Sequence, residues 1–328
     1  MTKPMPAGRR AEDVRHQYEV EKALAAKLRA APAEERRHLY AQVYDEMFRL
    51  CPDHPQLVRK RDPSADAAKI ERQLTILRNY VRPEHTYLEI GPGDCALTVA
   101  MARIAHRCIA VDVSTEVTRH AHWPDNMELI ISDGSSIPVP SGSVDVAYSN
   151  QLMEHLHPDD AGTQLVNIVA ALKPGGLYLC CTPNRLSGPH DISGPFDEVA
   201  TGFHLREYTI RETMDLFRRA GFRRFGGSVV VRGRFYRHPL APLLPVEAVL
   251  GALPRGLCQA IADSRWPRLL LGSISSQSSN HRYGRLTPRQ RGCPAFCSMT
   301  PAIPSAKIRW ALALGCESYR DTEYVSSA

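Results

Sequence analysis

The chain lacks any run of about 18 apolar residues, so no membrane-spanning helix is expected. Lys3, Arg9 and Arg10 precede no apolar segment of the kind a secretory leader carries. No CxxC pair occurs among the nine cysteines. An odd and scattered set builds no disulfide framework, so reduced thiols and a cytoplasmic location are expected. Cys293 and Cys297 have no partner ligands for zinc, and no metal is expected at any other site. Neither sign of charge dominates: 41 Lys+Arg against 35 Asp+Glu leave +6. That excess is too small for a nucleic-acid footprint, and Arg59-Lys60-Arg61 reads as a solvated helix entry. With 43% hydrophobic and 23% charged residues, global disorder and fibrous repeats are excluded. The 25 prolines and 21 glycines exclude an uninterrupted coiled coil.

What is present divides into four stretches. Residues 1–83 read as a helical extension or cover. Val20, Leu24 and Leu28 recur every four residues, and Leu39, Val43 and Met47 repeat beside Tyr40, Tyr44 and Phe48. A face that wide needs a covering partner. It is either core or a lid over a ligand. Residues 84–240 change rhythm, with strand-like runs at 87–90, 108–113, 127–132, 144–149 and 176–182 alternating with helical stretches. That alternation predicts a doubly wound, mostly parallel α/β sheet. Thr209 and Glu212 form a capping-box pattern, and Gly221 closes the helix they open. Residues 241–272 read as a helical segment with the last strand near 269–275. Residues 273–328 are Ser-rich and aperiodic apart from 308–314, and are expected to be disordered and foreign to the fold. Truncation near residue 275 is then expected to leave the melting temperature unchanged.

The central feature is Leu88-Glu89-Ile90-Gly91-Pro92-Gly93-Asp94-Cys95, a strand running into a Gly-x-Gly loop and a helix. Glycines there let the backbone turn sharply and approach a ligand. The third glycine of a dinucleotide fingerprint is absent. Asp112 ends the second strand, where a carboxylate accepts from ribose hydroxyls or serves as a turn or cap residue. Asp133-Gly134 ends the third, as an adenine contact or a plain turn. Asn150 ends the fourth. Four successive strands ending in glycine or a polar group put one ligand edge at their carboxyl ends.

These segments, with Ala110-Val111-Asp112-Val113-Ser114, Ser149-Asn150-Gln151-Leu152-Met153-Glu154-His155-Leu156 and Leu172-Lys173-Pro174-Gly175-Gly176-Leu177, resemble the class I S-adenosylmethionine-dependent methyltransferases over about 84–222. The nearest subgroup is the type 11 group, similar to small-molecule enzymes of ubiquinone and menaquinone biosynthesis. The resemblance implies a seven-stranded Rossmann-like sheet and S-adenosylmethionine as cofactor. It implies that Glu89, Gly91 and Gly93 line the methionine and ribose, that Asp112 with Val113 holds the ribose diol, that Asp133 and Gly134 face the adenine, and that Asn150 sits near the methionine. Glu154 and His155 would be structural.

Methyl transfer is an in-line displacement, so alignment of donor and acceptor is the main requirement. A base helps where the acceptor carries a proton. The long stretch from Thr182 to Tyr208 reads as acceptor pocket or lid. Within it His204 and Tyr208 are the candidates for general base or orienting donor, with His190-Asp191 second. The alternative is that His204 and Glu207 only pin the loop. The acceptor is expected to be a small molecule, or glycan- or lipid-like. Two other functions share the sheet: an NAD(P)-dependent oxidoreductase and a non-catalytic module that binds the cofactor.

Overall fold

The computed structural model describes residues 3–6, 8–54, 63–113, 123–231, 233–262 and 309–313. Arg59-Lys60-Arg61, Cys293, Cys297 and the stretch expected to hold the last strand near 269–275 lie outside these residues. The helices are α1 (Ala11–Ala30), α2 (Ala33–Leu50), α3 (Pro63–Leu77), α4 (Ala96–Met101), α5 (Pro158–Ala171), α6 (Ile210–Ala220), α7 (Leu243–Ala252) and α8 (Arg255–Ala262). The strands are β1 (Thr86–Ile90), β2 (Arg107–Asp112), β3 (Met127–Ile131), β4 (Val144–Asn150), β5 (Leu172–Cys181), β6 (Gly227–Val231), β7 (Arg234–His238) and β8 (Arg309–Ala313).

One sheet takes the order β3-β2-β1-β4-β5-β8-β6-β7. The first five strands in that order are mutually parallel. Alternation along a strand sends side chains to opposite faces. Leu88 and Ile90 of β1 therefore join one core with Leu24, Leu28, Val43, Ile168 and Phe217, while Tyr87 joins the other with Leu77, Met101 and Cys108. Covered on both faces, the central strands are near-continuously buried, as parallel sheets require.

Among the described residues the sheet has eight strands where seven were expected. The slot beside β5 is filled by β8, parallel to β5 from Leu177↔Arg309 to Cys181↔Ala313 and to β6 at Gly227↔Leu312. The antiparallel pair lies outermost, where β6 turns through Gly233 (φ +73°) into β7. β8 falls inside the stretch expected to be foreign to the fold. Truncation near residue 275 would remove a strand paired on both sides, so the melting temperature is expected to fall. An unchanged melting curve would argue that the sheet does not need β8.

The helix after the long loop forms as its ends dictate. Thr209 Oγ1 accepts from Glu212 N–H, the Glu212 carboxylate accepts from Thr209 N–H, and Gly221 takes the left-handed conformation at φ +111°. Thr209→Ala is expected to cost about 1 kcal/mol, measurable as a lower urea midpoint.

Candidate functional site

The carboxyl ends of β2, β1, β4 and β3 meet. Register aligns Ile90 with Val111 and with Ser149, and Asp112 with Ile131. Gly91, Asp112, Asp133 and Asn150, named from the sequence, therefore share one edge. Gly91 has φ +67°, and a Cβ there would come within 2.9 Å of Leu152 Cδ1. Gly93 has φ +59° with open space where a Cβ would stand, so backbone conformation and not crowding favours glycine there. Cys95, in the place of a third glycine, also takes a positive φ of 61° as the N-cap of α4. Its thiol is buried, which pushes it up to about 12 and keeps it protonated.

Asp112 ties the loop to its neighbours, accepting from Val113 N–H at 2.7 Å and Gly93 N–H at 3.3 Å. Glu89 lies beneath the loop. Thr98 of α4 donates to its Oε2 at 2.6 Å. Burial raises this carboxyl to about 8, against the donation from Thr98 and Tyr87. Asp133 is committed to its own turn, accepting from the N–H and hydroxyl of both Ser135 and Ser136. Burial opposes ionisation there, but those donors hold the carboxyl below its ordinary value. The turn reading of Asp133-Gly134 is thus satisfied locally, and the carboxylate has little capacity left. Beside it, a Cβ on Gly134 would stand 3.2 Å from Tyr40 Cδ2 and 3.3 Å from Val113 Cγ1.

The aromatic face of α2 is both core and cover. Tyr40 is buried, and its hydroxyl donates to Asp160 at 2.7 Å. Arg36 forks onto the same carboxylate at 2.6 and 2.8 Å. Tyr44 stacks on Phe203 at 4.9 Å and meets His155 edge-on at 6.2 Å.

Next to the end of β4 stands a second cluster. Glu154 and His155, assigned as structural, sit with His204; one ligand-type atom from each lies within 4.8 Å of the others. The Glu154 carboxylate is buried. Its Oε2 accepts from Thr182 Oγ1 at 2.9 Å, and its Oε1 has no partner. Burial raises it to about 7, with the neighbouring His204 charge working in the other direction. His155 is pushed down to about 3 by burial and by His204, and is neutral. Its Nδ1 contacts Phe203 O at 3.1 Å.

His204 is the opposite case. Burial disfavours its charge, but Glu207, at 2.7 Å from Nδ1, outweighs burial and raises the ring to about 9. At neutral pH His204 is an imidazolium paired with a carboxylate. It fits an orienting donor better than a base, and an imidazolium is a poor metal ligand. Glu207 also accepts from His190 N–H at 2.6 Å. His190, lowered to about 4 by burial, is neutral, and its Nδ1 lacks a partner. Tyr208 is buried and raised by burial to about 12, with its hydroxyl also unpartnered. Such orphaned atoms carry a cost of about 1–3 kcal/mol each unless a ligand or water meets them. Arg29 of α1 clamps this loop by donating to the carbonyls of Thr201, Gly202 and His204.

The sequence reading named His204 and Tyr208 as acceptor-side candidates and took Glu154 as structural; the structure brings Glu154 and His204 together. The signal available was a carboxylate directly after the fourth strand, at the ligand edge.

Residues 88–180 match the family described as Methyltransferase domain, type 11. A probable S-adenosylmethionine-dependent methyltransferase of Mycolicibacterium smegmatis is 28% identical over 193 residues, covering 58% of this chain and 70% of that one. A similarly described protein of Mycobacterium tuberculosis is 28% identical over the same length, covering 65% of that protein. The solved 1,6-didemethyltoxoflavin N1-methyltransferase of Burkholderia thailandensis, with bound S-adenosylhomocysteine, is 22% identical with a TM-score of 0.45 over 63% of this chain and 89% of that one. Residues 88–180 are thus similar to a methyltransferase domain, and the relatives that match around them are described as S-adenosylmethionine-dependent methyltransferases.

Proposed function

We propose that this enzyme methylates a small-molecule acceptor, glycan- or lipid-like molecules included, at an ionisable O–H or N–H. The observation that carries this reading is the buried, unpartnered Glu154 Oε1 beside the His204–Glu207 pair. The strand edge fits the cofactor: Gly91 and Gly93 turn the loop in the left-handed conformation directly after β1, and the Asp112 carboxylate stands beside Gly93 N–H. Glu89, Gly91, Gly93 and Asn150 would hold the methionine and ribose side, and Asp112 with Val113 the ribose diol. The backbone at Asp133-Gly134, flanked by Tyr40 and Val113, would take the adenine.

Bound there, S-adenosylmethionine supplies a methyl group already activated by its sulfonium. Glu154 would take the acceptor's proton at Oε1. His204, held charged by Glu207, orients that atom, and the Tyr208 hydroxyl and His190 Nδ1 offer further polar contacts. The 183–209 loop, whose Phe203 stacks on Tyr44 of α2, excludes water. Reduced, buried thiols fit a cytoplasmic setting, and among the described residues no helix is long and apolar enough to cross a membrane.

Asp112→Ala is expected to weaken S-adenosylhomocysteine about 10–100-fold, the worth of a charge-assisted hydrogen bond. Calorimetric titration of the variant checks this, and wild-type affinity would remove Asp112 from the site. Transfer of labelled methyl from S-adenosylmethionine to an extractable low-mass product of cell extract tests the function. A chain that binds cofactor but labels nothing would be the non-catalytic module. Tighter binding of NADH than of S-adenosylhomocysteine would favour the oxidoreductase.

A further inference from the structure

Helices α7 and α8 follow the sheet and brace the acceptor loop. Glu247 of α7 is buried and accepts from Asn184 Nδ2 at 3.0 Å and from the N–H groups of Ile210 and Arg211 at 2.6 and 2.9 Å. Gln259 of α8 donates to Gly188 O at 2.9 Å. The inner faces are thus fixed on the loop that carries His190. The outer face is unusual. Every exposed position of α7 is proline, valine, alanine or glycine: Pro245, Val246, Ala248, Val249, Gly251 and Ala252. Val246 is 44% exposed, Val249 64%, and Leu257 of α8 51%. Scattered apolar residues on a surface need no explanation, but a whole helix face without a polar side chain does.

Charge around this ridge is predominantly basic. Between residues 239 and 262 the chain holds one acid, Glu247, which is buried, and one base, Arg255. Exposed arginines flank it from the loop and from α6. Arg211 adjoins α7 through its backbone bond to Glu247, and Arg185 lies on the short turn that packs on α7 and α8. Arg185 and Arg206 share the half-buried Glu212, so two arginines face one acid there. An apolar ridge with a basic rim matches a bilayer surface, where apolar side chains enter the acyl boundary and cations meet anionic headgroups.

We propose that the outer face of α7 and α8 is a peripheral contact with anionic phospholipid membranes. The contact does not depend on which molecule is methylated. It places the acceptor loop at the bilayer, where a lipophilic acceptor is concentrated.

The test is sedimentation of the full chain with phosphatidylglycerol-containing vesicles and with pure phosphatidylcholine vesicles, for the wild type and the V246D/V249D variant. The wild type is expected to sediment with the anionic vesicles and less with the neutral ones. The variant is expected to bind about tenfold more weakly or worse, because two exposed apolar anchors become anions. Its melting temperature and S-adenosylhomocysteine affinity should match the wild type, which separates loss of the contact from loss of the fold or of methyl-donor binding. Absence of wild-type binding to anionic vesicles, or equal binding by the variant, would overturn the proposal. So would a wild-type dimer that V246D/V249D disperses in analytical ultracentrifugation, since the face would then be covered by a second copy of the chain.

Discussion

Glu154→Gln is expected to lower turnover by roughly 10²–10⁴-fold, the usual contribution of a positioned base. Glutamine keeps the size of the side chain and can still accept from Thr182 Oγ1, so the fold and cofactor affinity are expected to hold. What is lost is the one group of the cluster that can take a proton near neutrality, since His204 is already protonated and Tyr208 is raised to about 12. The pH profile carries the same signature. With Glu154 raised to about 7, activity should rise as that carboxyl ionises. With His204 raised to about 9, activity should fall as the imidazolium loses its proton. Single-turnover rates with labelled cofactor should trace a bell in the wild type and lose the acid limb in the variant. A variant with wild-type rates, or an alkaline limb absent near 9, would argue that Glu154 and His204 only hold the loop. The sign for stability follows from the same shift. A histidine raised in the folded state contributes below its unfolded value, and that contribution is lost as pH rises through about 9.

The second large effect lies under the cover. Arg36 is buried and forks onto Asp160 at the start of α5, while Tyr40 donates to the same carboxylate and accepts from His157 N–H at 2.9 Å. Arg36→Met leaves a carboxylate in a largely dry site with one remaining side-chain donor. Removing one partner of a buried pair costs about 3–5 kcal/mol, and the Tyr40 bond places this case near the lower end. Urea unfolding measures it. Arg36→Met combined with Asp160→Leu should recover much of the loss, because an apolar pair of similar volume removes the stranded charge. Burial resists ionisation of Asp160, but Arg36 and Tyr40 keep its carboxyl below the ordinary value. That part of the stability is present above the unfolded value and is lost as pH falls through the folded one, so the difference between wild type and variant should shrink in acid. A small, pH-independent loss would mean that α2 is held by packing alone.

Elements with a local signature were legible in the sequence. Short, near-continuous apolar runs place Leu88, Ile109 and Val146 within buried strands, and Thr209, Glu212 and Gly221 mark both ends of α6 by hydrogen bonding and backbone conformation. The shared strand edge was legible because each residue named there follows its strand directly, so the parallel order brings Gly91, Asp112 and Asn150 together without further information. Glu154 was not, because its role depends on contacts with Thr182 and His204, 28 and 50 residues away, which topology alone creates. β8 was not, because the short apolar run at 308–314 is isolated in a polar stretch and only its pairing with β5 and β6 makes it part of the sheet. Asp133 shows the converse, a residue whose strand-end position suggested a ligand contact and whose carboxylate the turn itself consumes.

Calorimetric titration of the full chain with S-adenosylhomocysteine addresses the strand edge most directly. The expected result is one site per chain with affinity that falls when Asp112 is replaced by alanine. A folded wild-type chain that releases no binding heat, with S-adenosylhomocysteine also failing to raise its melting temperature, would contradict the assignment of Gly91, Asp112 and Asn150 to a cofactor site.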